Sequence, residues 1–303
     1  MSHVPTPPPW VPPFPPRPQE AHKGSMGRLL IIGGCTGLTG AVTLAARAAL
    51  RSGVGLVTCA VPESLNSIFE VKLTEAMTVT LPDKGEGRLT PDSLTPLFLE
   101  HLERVQALVV GPGLGRHSST GEFLEQLWEK ISSSFVLDAD ALWHLAEQQE
   151  VLRAGDPLRV LTPHAGEMQT LEMALGHAPG SRQEIARRFA RKIPGVLVLK
   201  GPGSLIAERD QLFVNPSGNP GLASGGTGDV LAGIIGAFLA RGEIPRAAAQ
   251  RGVWLHGRAA DIAAYGTGSG DDGVGEESLL ASDVIAALPR AIRELQERPC
   301  SGA

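Results

Sequence analysis

The segment from Asn215 to Asp229 carries the strongest chemical signal in the sequence, because it holds five glycines and ends in an acid directly before a long apolar stretch. Glycine permits positive φ and a close approach of backbone to ligand. A glycine-rich turn that leads into a helix points several N–H groups and the positive end of the helix dipole at one place, where a phosphate or a developing anion can bind. We interpret residues 225–228 as an anion cradle and Asp229 as a base that takes a proton from a hydroxyl during phosphoryl transfer. The alternative is an ordinary helix N-cap formed by Thr227 or Asp229.

Two further glycine-rich turns follow predicted strands, at residues 33–41 and 111–115. The first superficially resembles a dinucleotide-binding turn, but its glycine spacing and the lack of an acid at the end of the next strand argue against a nicotinamide oxidoreductase. It is either a close packing turn or a contact for a substrate phosphate or ring. The second turn has so little side-chain bulk that a flat ligand could lie against it.

Charged residues end three later strands. At the first, Asp140 is expected to form the N-cap of the next helix, and Asp138 to have a supporting polar role. At the second, Glu167 falls in the first turn of a helix that follows His164, where it could hold hydrated Mg²⁺ near phosphates. The alternative is that His164 and Glu167 are simply polar side chains at the surface. At the third, Lys200 could reach a nucleotide phosphate as a point charge, or it could be a lysine that extends from a turn into solvent.

Elements that could position these motifs are visible as short apolar runs that alternate with longer amphipathic segments. Continuous apolar runs of this length predict a parallel sheet covered on both faces, hence an α/β protein whose functional residues gather at the carboxyl ends of the strands. The predicted strands are residues 29–32, 56–61, 76–81, 107–110, 135–137, 159–161 and 196–199, followed by a hairpin of 204–208 and 211–214. The predicted helices are residues 41–52, 120–131, 141–153, 166–175, 182–192, 229–240, 247–265 and 282–297.

Composition limits the possible functions. The 303 residues include 27 Lys and Arg against 32 Asp and Glu, a net charge of −5 without a basic patch, so we expect no nucleic-acid partner. Three cysteines without metal-type spacing favour a reducing compartment, and we expect a cytoplasmic protein. No apolar segment is long enough for a membrane span. Prolines between residues 5 and 18 predict an extended or disordered arm. We therefore divide the chain into an N-terminal arm, 1–25, and a single domain, 26–303.

Together these motifs resemble the ADP-dependent NAD(P)H-hydrate dehydratase family, in the expected order and over nearly the whole chain after the arm. The segments that carry the resemblance are residues 22–28, 33–41, 111–115, 136–142, 161–167, 198–201 and 219–230. The resemblance implies a ribokinase-like three-layer α/β/α sandwich with a mostly parallel central sheet and a late antiparallel edge hairpin.

The resemblance also implies an activity. Members restore NADH or NADPH from the S epimer of its hydrated form, NAD(P)HX. ADP, or ATP in eukaryotic members, phosphorylates the ring hydroxyl with Mg²⁺, and elimination of phosphate then yields NAD(P)H and, from ADP, AMP. Many relatives carry an epimerase domain ahead of this one, so with only the proline-rich arm before Arg28 we expect epimerisation by a separate protein or without a catalyst. Relatives tend toward tetramers, so we expect a homo-oligomer.

The resemblance assigns roles to individual residues. Asp229 is the expected base, and the backbone of Gly226 and Gly228 belongs to the anion hole. Expected contacts with NAD(P)HX are Ala41, Gly113, His164 and Asp229; expected contacts with the nucleotide are Lys200, Gly201, Pro202, Gly203, Ser204 and Gly228. Glu167 is expected to bind Mg²⁺ through water. The chain departs from the family pattern at Leu38, Cys35 and Ala165, which affects details of ring contact.

Two other functions use the same residues. A ribokinase-like kinase that phosphorylates a small vitamin or sugar hydroxyl needs the same base, anion hole and lysine. A nucleotide-binding protein without turnover would keep the pocket alone. A stable phosphorylated product would favour the kinase, whereas the histidine motif at residues 161–167 favours the dehydratase.

Overall fold

The structure, a computed structural model, describes residues 6–14, 16–156, 158–267 and 273–297. Within them, nine strands form one sheet in the order β3-β2-β1-β4-β5-β6-β7-β8-β9, in which β1 to β7 run parallel and β8 and β9 form an antiparallel edge. Every predicted strand is confirmed. The strands are β1 Arg28–Ile32, β2 Leu56–Pro62, β3 Met77–Leu81, β4 Ala107–Val110, β5 Ser134–Leu137, β6 Arg159–Leu161, β7 Val196–Leu199, β8 Leu205–Glu208 and β9 Gln211–Val214.

Eleven α-helices occur within the described residues. They are α1 Thr39–Arg51, α2 Asn66–Lys72, α3 Pro96–Arg104, α4 Ser118–Trp128, α5 Asp140–Glu147, α6 Gln149–Ala154, α7 Ala165–Ala174, α8 Arg182–Lys192, α9 Thr227–Ala240, α10 Pro245–Tyr265 and α11 Ala281–Gln296. The prediction missed α2 and α3, which are only 7 and 9 residues long. The single helix predicted over 141–153 was also wrong, because Gln148 leaves helical geometry at ψ 64° and separates α5 from α6.

Helices cover both faces of the sheet, because alternate strand residues point to opposite sides. Leu29 and Ile31 of β1 pack into a core with α1, α9, α10 and α11. Leu30 and Ile32 point the other way, into a core with α3, α4, α5, α7 and α8. The three-layer α/β/α sandwich is therefore confirmed, with β5 as the middle strand of its sheet.

Helix α9 lies in the middle of the first of these cores and is apolar on nearly every side. A Cβ atom at Gly233 would lie 2.1 Å from the carbonyl oxygen of Ala45 in α1, and one at Gly236 would lie 2.4 Å from Val109 in β4. Only glycine allows backbone contact this close. The packing fixes the beginning of α9 at the edge of the sheet where the parallel strands end.

The N-terminal arm packs on the same layer. Val11 is buried in the α9 core. Trp10 lies 5.6 Å from the Phe213 ring, and Phe14 meets Phe238 edge-on at 5.8 Å. Among the described helices, none is both long and apolar enough to cross a membrane.

Candidate functional site

The site is built around the first turn of α9. The N-cap is Gly226, at φ 89°, and no side chain caps the helix. Thr227 instead donates its hydroxyl to the carbonyl oxygens of Leu222 and Ser224, at 2.8 and 3.0 Å. The alternative of a cap by Thr227 or Asp229 is therefore wrong, and the positive end of the helix dipole remains open to an anion.

Four charged side chains lie around this turn, and we call Asp138, Glu167, Lys200 and Asp229 the charged cluster. Two of them directly follow β5 and β7, and the other two lie in the first turns of α7 and α9. Lys200 Nζ donates to Asp138 Oδ1 at 2.6 Å and lies 3.7 Å from Glu167 Oε2. Asp138 follows β5 and is 1% exposed. A Cβ atom at Gly228 would lie 3.2 Å from Lys200 Nζ. The lysine therefore points inward, beside the anion cradle, and does not extend into solvent.

Burial dominates the electrostatics of the charged cluster. It raises the pKa of Asp229 to about 7; the charge of Asp138 adds to the rise, and Lys200 opposes it. Burial together with Asp138 also raises the pKa of Glu167 against the effect of Lys200. For Lys200, burial acts to lower the pKa, but Asp138 and Glu167 outweigh it and the pKa is raised. The cluster thus combines a fixed cation with an acid that gains and loses a proton near neutral pH, the range suited to general base catalysis.

His164 and Glu167 form a capping box at the start of α7. His164 Nδ1 accepts hydrogen bonds from the N–H groups of Gly166 and Glu167, both at 3.1 Å, and Glu167 Oε2 accepts from the His164 N–H at 2.7 Å. His164 is exposed, whereas Glu167 turns toward Lys200. His164 Nε2 also lies 3.2 Å from Glu167 Oε1, so the exposed imidazole directly contacts a carboxylate of the charged cluster.

The two earlier glycine turns touch each other. A Cβ atom at Gly113 would lie 2.5 Å from the Leu38 carbonyl oxygen and 3.2 Å from Ala41 Cβ, which brings Gly113 and Ala41 onto one surface. Asp140 holds the end of the second turn in place, because it accepts hydrogen bonds from the Gly115 N–H and from Arg116 Nε, both at 2.9 Å. The predicted N-cap role of Asp140 was wrong, since the N-cap is Ala139 at φ 50°. Asp140 also contributes to the raised pKa of Asp229, so the turns adjoin the charged cluster.

Residues 200–204 form the loop that connects β7 to β8. Gly201 and Gly203 both have positive φ, at 135° and 58°. Arg182 of α8 donates to the carbonyl oxygens of Pro202 at 2.5 Å and of Leu199 and Lys200 at 3.3 Å. Sequence reasoning missed Arg182, because the only local signal there is the capping box of Ser181 and Glu184.

Magnesium would find oxygen ligands here but no complete protein cage. Within the described part of the chain, no group of three or more His, Cys, Asp or Glu residues is arranged to hold a metal. Mg²⁺ usually keeps several waters and is bound by one or two carboxylates together with substrate phosphates. Glu167 and Asp138, which both contact Lys200, could supply the one or two carboxylates that such a site needs.

Comparison with known proteins gives consistent matches. A family model described as NAD(P)H-hydrate dehydratase matches residues 29–274. The bifunctional NAD(P)H-hydrate repair enzyme Nnr of Moorella thermoacetica is 44% identical over 286 residues, which cover 94% of this chain and 52% of that protein. The chain thus spans about half the length of this curated relative.

Solved structures agree. The ADP/ATP-dependent NAD(P)H-hydrate dehydratase of Bacillus subtilis, co-crystallised with ATP and Mg²⁺, is 29% identical, with a TM-score of 0.73 over 93% of this chain and 95% of that one. Ribokinase of Thermotoga maritima is similar in fold alone, at 14% identity and a TM-score of 0.52 over 87% of this chain and 99% of that one.

Proposed function

Because the chain belongs to the NAD(P)H-hydrate dehydratase family, we propose that it is a hydro-lyase that uses ADP to dehydrate the S epimer of NAD(P)HX, with NAD(P)H, AMP and phosphate as products. We propose ATP as an alternative phosphoryl donor, since the similar B. subtilis dehydratase is ADP/ATP-dependent.

One observation carries this proposal: Asp229 follows an uncapped, glycine-rich helix start and has a pKa of about 7. A base with this pKa is partly ionised at neutral pH, so it can accept the proton of the ring hydroxyl as the phosphoryl group arrives. The N–H groups of Gly226 and Gly228 would stabilise the charge on the transferred phosphoryl group. Lys200 Nζ, 3.2 Å from the Cβ position of Gly228, would add a positive charge beside them.

The remaining groups would bind the two ligands. We assign the nucleotide phosphates to the loop of Lys200, Gly201, Pro202, Gly203 and Ser204, together with Gly228. The hydrated nicotinamide would lie on the surface of Ala41 and Gly113, with His164 as an exposed hydrogen-bonding group at its edge. Glu167 would hold Mg²⁺ through water, where the ion would neutralise phosphate charge.

The test is a direct assay. Purified protein, ADP, Mg²⁺ and S-NADHX should restore the absorbance of dihydronicotinamide, with one AMP released for each NADH formed. No absorbance change with either ADP or ATP would refute the proposal. Accumulation of a stable phosphorylated product without elimination would point to a kinase.

Four finer properties are proposals. We propose that residues 26–303 act as a single catalytic domain with residues 1–25 as its arm, although positions 1–5, 15 and 298–303 among others lie outside the described residues. We propose a homotetramer, measurable by light scattering. We propose that an epimerase activity supplies the S epimer, and that the protein works in the cytoplasm, which suits its free Cys35 and Cys59.

A further inference from the structure

A buried acid on α10, Asp261, holds the segment that leads into the anion cradle. Asp261 is 8% exposed. Its Oδ2 accepts a hydrogen bond from the Gly218 N–H at 3.0 Å, and its Oδ1 accepts one from Asn219 Nδ2 at 3.1 Å. Asn219 Oδ1 in turn accepts from the Gly221 N–H at 3.0 Å. The side chains of Asp261 and Asn219 therefore hold residues 218, 219 and 221, which lead into the cradle.

The contacts continue to the first turn of α9. Gly221 lies in the short 3₁₀ turn Pro220–Leu222. The Leu222 carbonyl oxygen at the end of that turn accepts the Thr227 hydroxyl at 2.8 Å, and Thr227 begins α9 two residues before Asp229. A Cβ atom at Gly257 of α10 would lie 2.4 Å from Ser217 Oγ, so the approach segment also rests on the α10 backbone. A displacement at Asp261 would therefore reach the cradle through bonded neighbours.

The hydrogen bond between Asp261 and Asn219 allows only one orientation of the asparagine amide. A carboxylate only accepts hydrogen bonds, so Asn219 must present its amide nitrogen to Asp261 and its oxygen to Gly221. The charged neighbour on the same helix is Arg258, which bonds Glu294 of α11 at 2.6 and 2.9 Å. Burial raises the pKa of Asp261, while the bonds from Gly218 and Asn219 and the charge of Arg258 act to lower it.

We propose that Asp261 and Asn219 are a positioning pair that holds the anion cradle and Asp229 in the geometry for phosphoryl transfer. The inference rests on the proposed function, because that function gives the cradle its role. Neither residue is expected to touch a ligand. Their effect is expected in kcat, since misplacing reacting groups by about 1 Å can cost roughly a hundredfold in rate.

The pair can be tested by exchanging its two side chains. In Asp261→Asn the new amide cannot accept from both Gly218 and Asn219, and in Asn219→Asp two carboxylates face each other. We expect either single variant to lower kcat by about 10- to 100-fold. In the double variant, the amide introduced at position 261 can accept from the Gly218 N–H and donate to the carboxylate introduced at position 219. That carboxylate still accepts from the Gly221 N–H, so kcat should return to within about threefold of the original chain. Asp210→Asn, at an exposed acid on the β8–β9 turn, is the control.

Hydrogen–deuterium exchange supplies a readout that needs no turnover. Residues 218–229 should exchange faster in both single variants and recover in the double variant, while β1 keeps its original rate throughout. Original kcat in the single variants, no recovery in the double variant, or equally faster exchange in β1 would each overturn the positioning role. If the original chain has no dehydratase activity, the proposed function fails, and the exchange pattern alone decides whether the pair holds the cradle.

Discussion

Replacing Asp229 by Asn should stabilise the fold at alkaline pH while it abolishes turnover. Burial raises the pKa of Asp229 from an ordinary 3.8 to about 7. The folded chain therefore binds more protons than the unfolded chain between these two values, and the free energy of unfolding falls as the pH rises through this range. Three pH units correspond to about 4 kcal/mol at most. Because Asp229 is partly open to solvent, we expect about 1–3 kcal/mol.

The assay is thermal unfolding at two pH values. At pH 8 the Asp229→Asn variant should melt about 2–6 °C above the original chain, at roughly 2 °C per kcal/mol for a chain of this size. At pH 3.5, below both pKa values, most folded and unfolded chains are protonated at this position, so the two should differ little. Turnover should fall by about three orders of magnitude with nucleotide affinity nearly intact, because the base is lost but the phosphate contacts remain.

The control is Asp210→Asn, since the Asp210 side chain is 81% exposed. It should change neither the melting temperature nor the rate. An Asp229→Asn variant that melts at or below the original temperature at pH 8 would refute the reasoning, because it would mean that the ionised carboxylate is stabilised by its surroundings. Unchanged turnover would remove Asp229 from the mechanism.

Substitutions at three further positions separate the parts of the site. Lys200→Met should lower the free energy of unfolding by about 3–5 kcal/mol in urea, since it leaves Asp138 buried without its cation; a loss below about 1 kcal/mol would mean that water replaces the ammonium. Gly228→Ala should reduce ADP affinity in calorimetry with little change in stability, because the new methyl group would lie 3.2 Å from Lys200 Nζ while alanine favours the helix; unaltered affinity would place the phosphates elsewhere. His164→Asn should keep the cap of α7 and raise the KM for NADHX, whereas His164→Ala should also lose about 1 kcal/mol of stability; an unchanged KM in both would exclude His164 from the substrate surface.

Most of the fold follows from local sequence. The strands could be predicted from continuous apolar runs, because a parallel sheet that is buried on both faces needs apolar side chains on both sides of each strand. Short elements were missed, as α2 with 7 residues shows, since a helix of two turns gives too few repeats for a period to be recognised. The break at Gln148 was also hidden, because Leu145 and Leu152 on its two sides keep the seven-residue spacing of one helical face.

The site was less accessible to sequence reasoning than the fold. Glycine density pointed to the turn before α9, where the helix start has no side-chain cap. The predicted position of Glu167 in the first turn of α7 is confirmed. The partnership of Asp138 with Lys200, 62 residues apart, depends on the order of β5, β6 and β7 in the sheet, which no local pattern contains. Asp261 gave no signal at all, because an acid near the end of a long helix ordinarily faces solvent.

The close packing of α9 against α1 and α10 limits which parts of the site can move when ligands enter. Gly233 lies against the α1 backbone, and Gly252 of α10 presses on Ile235 from another side, where a Cβ atom would come within 2.7 Å. A helix held in this way cannot pivot or slide without breaking both contacts. Any closure over bound reactants must then be made by the surrounding connections, such as the turn after β1 and the one between β7 and β8, which would move toward a stationary acid.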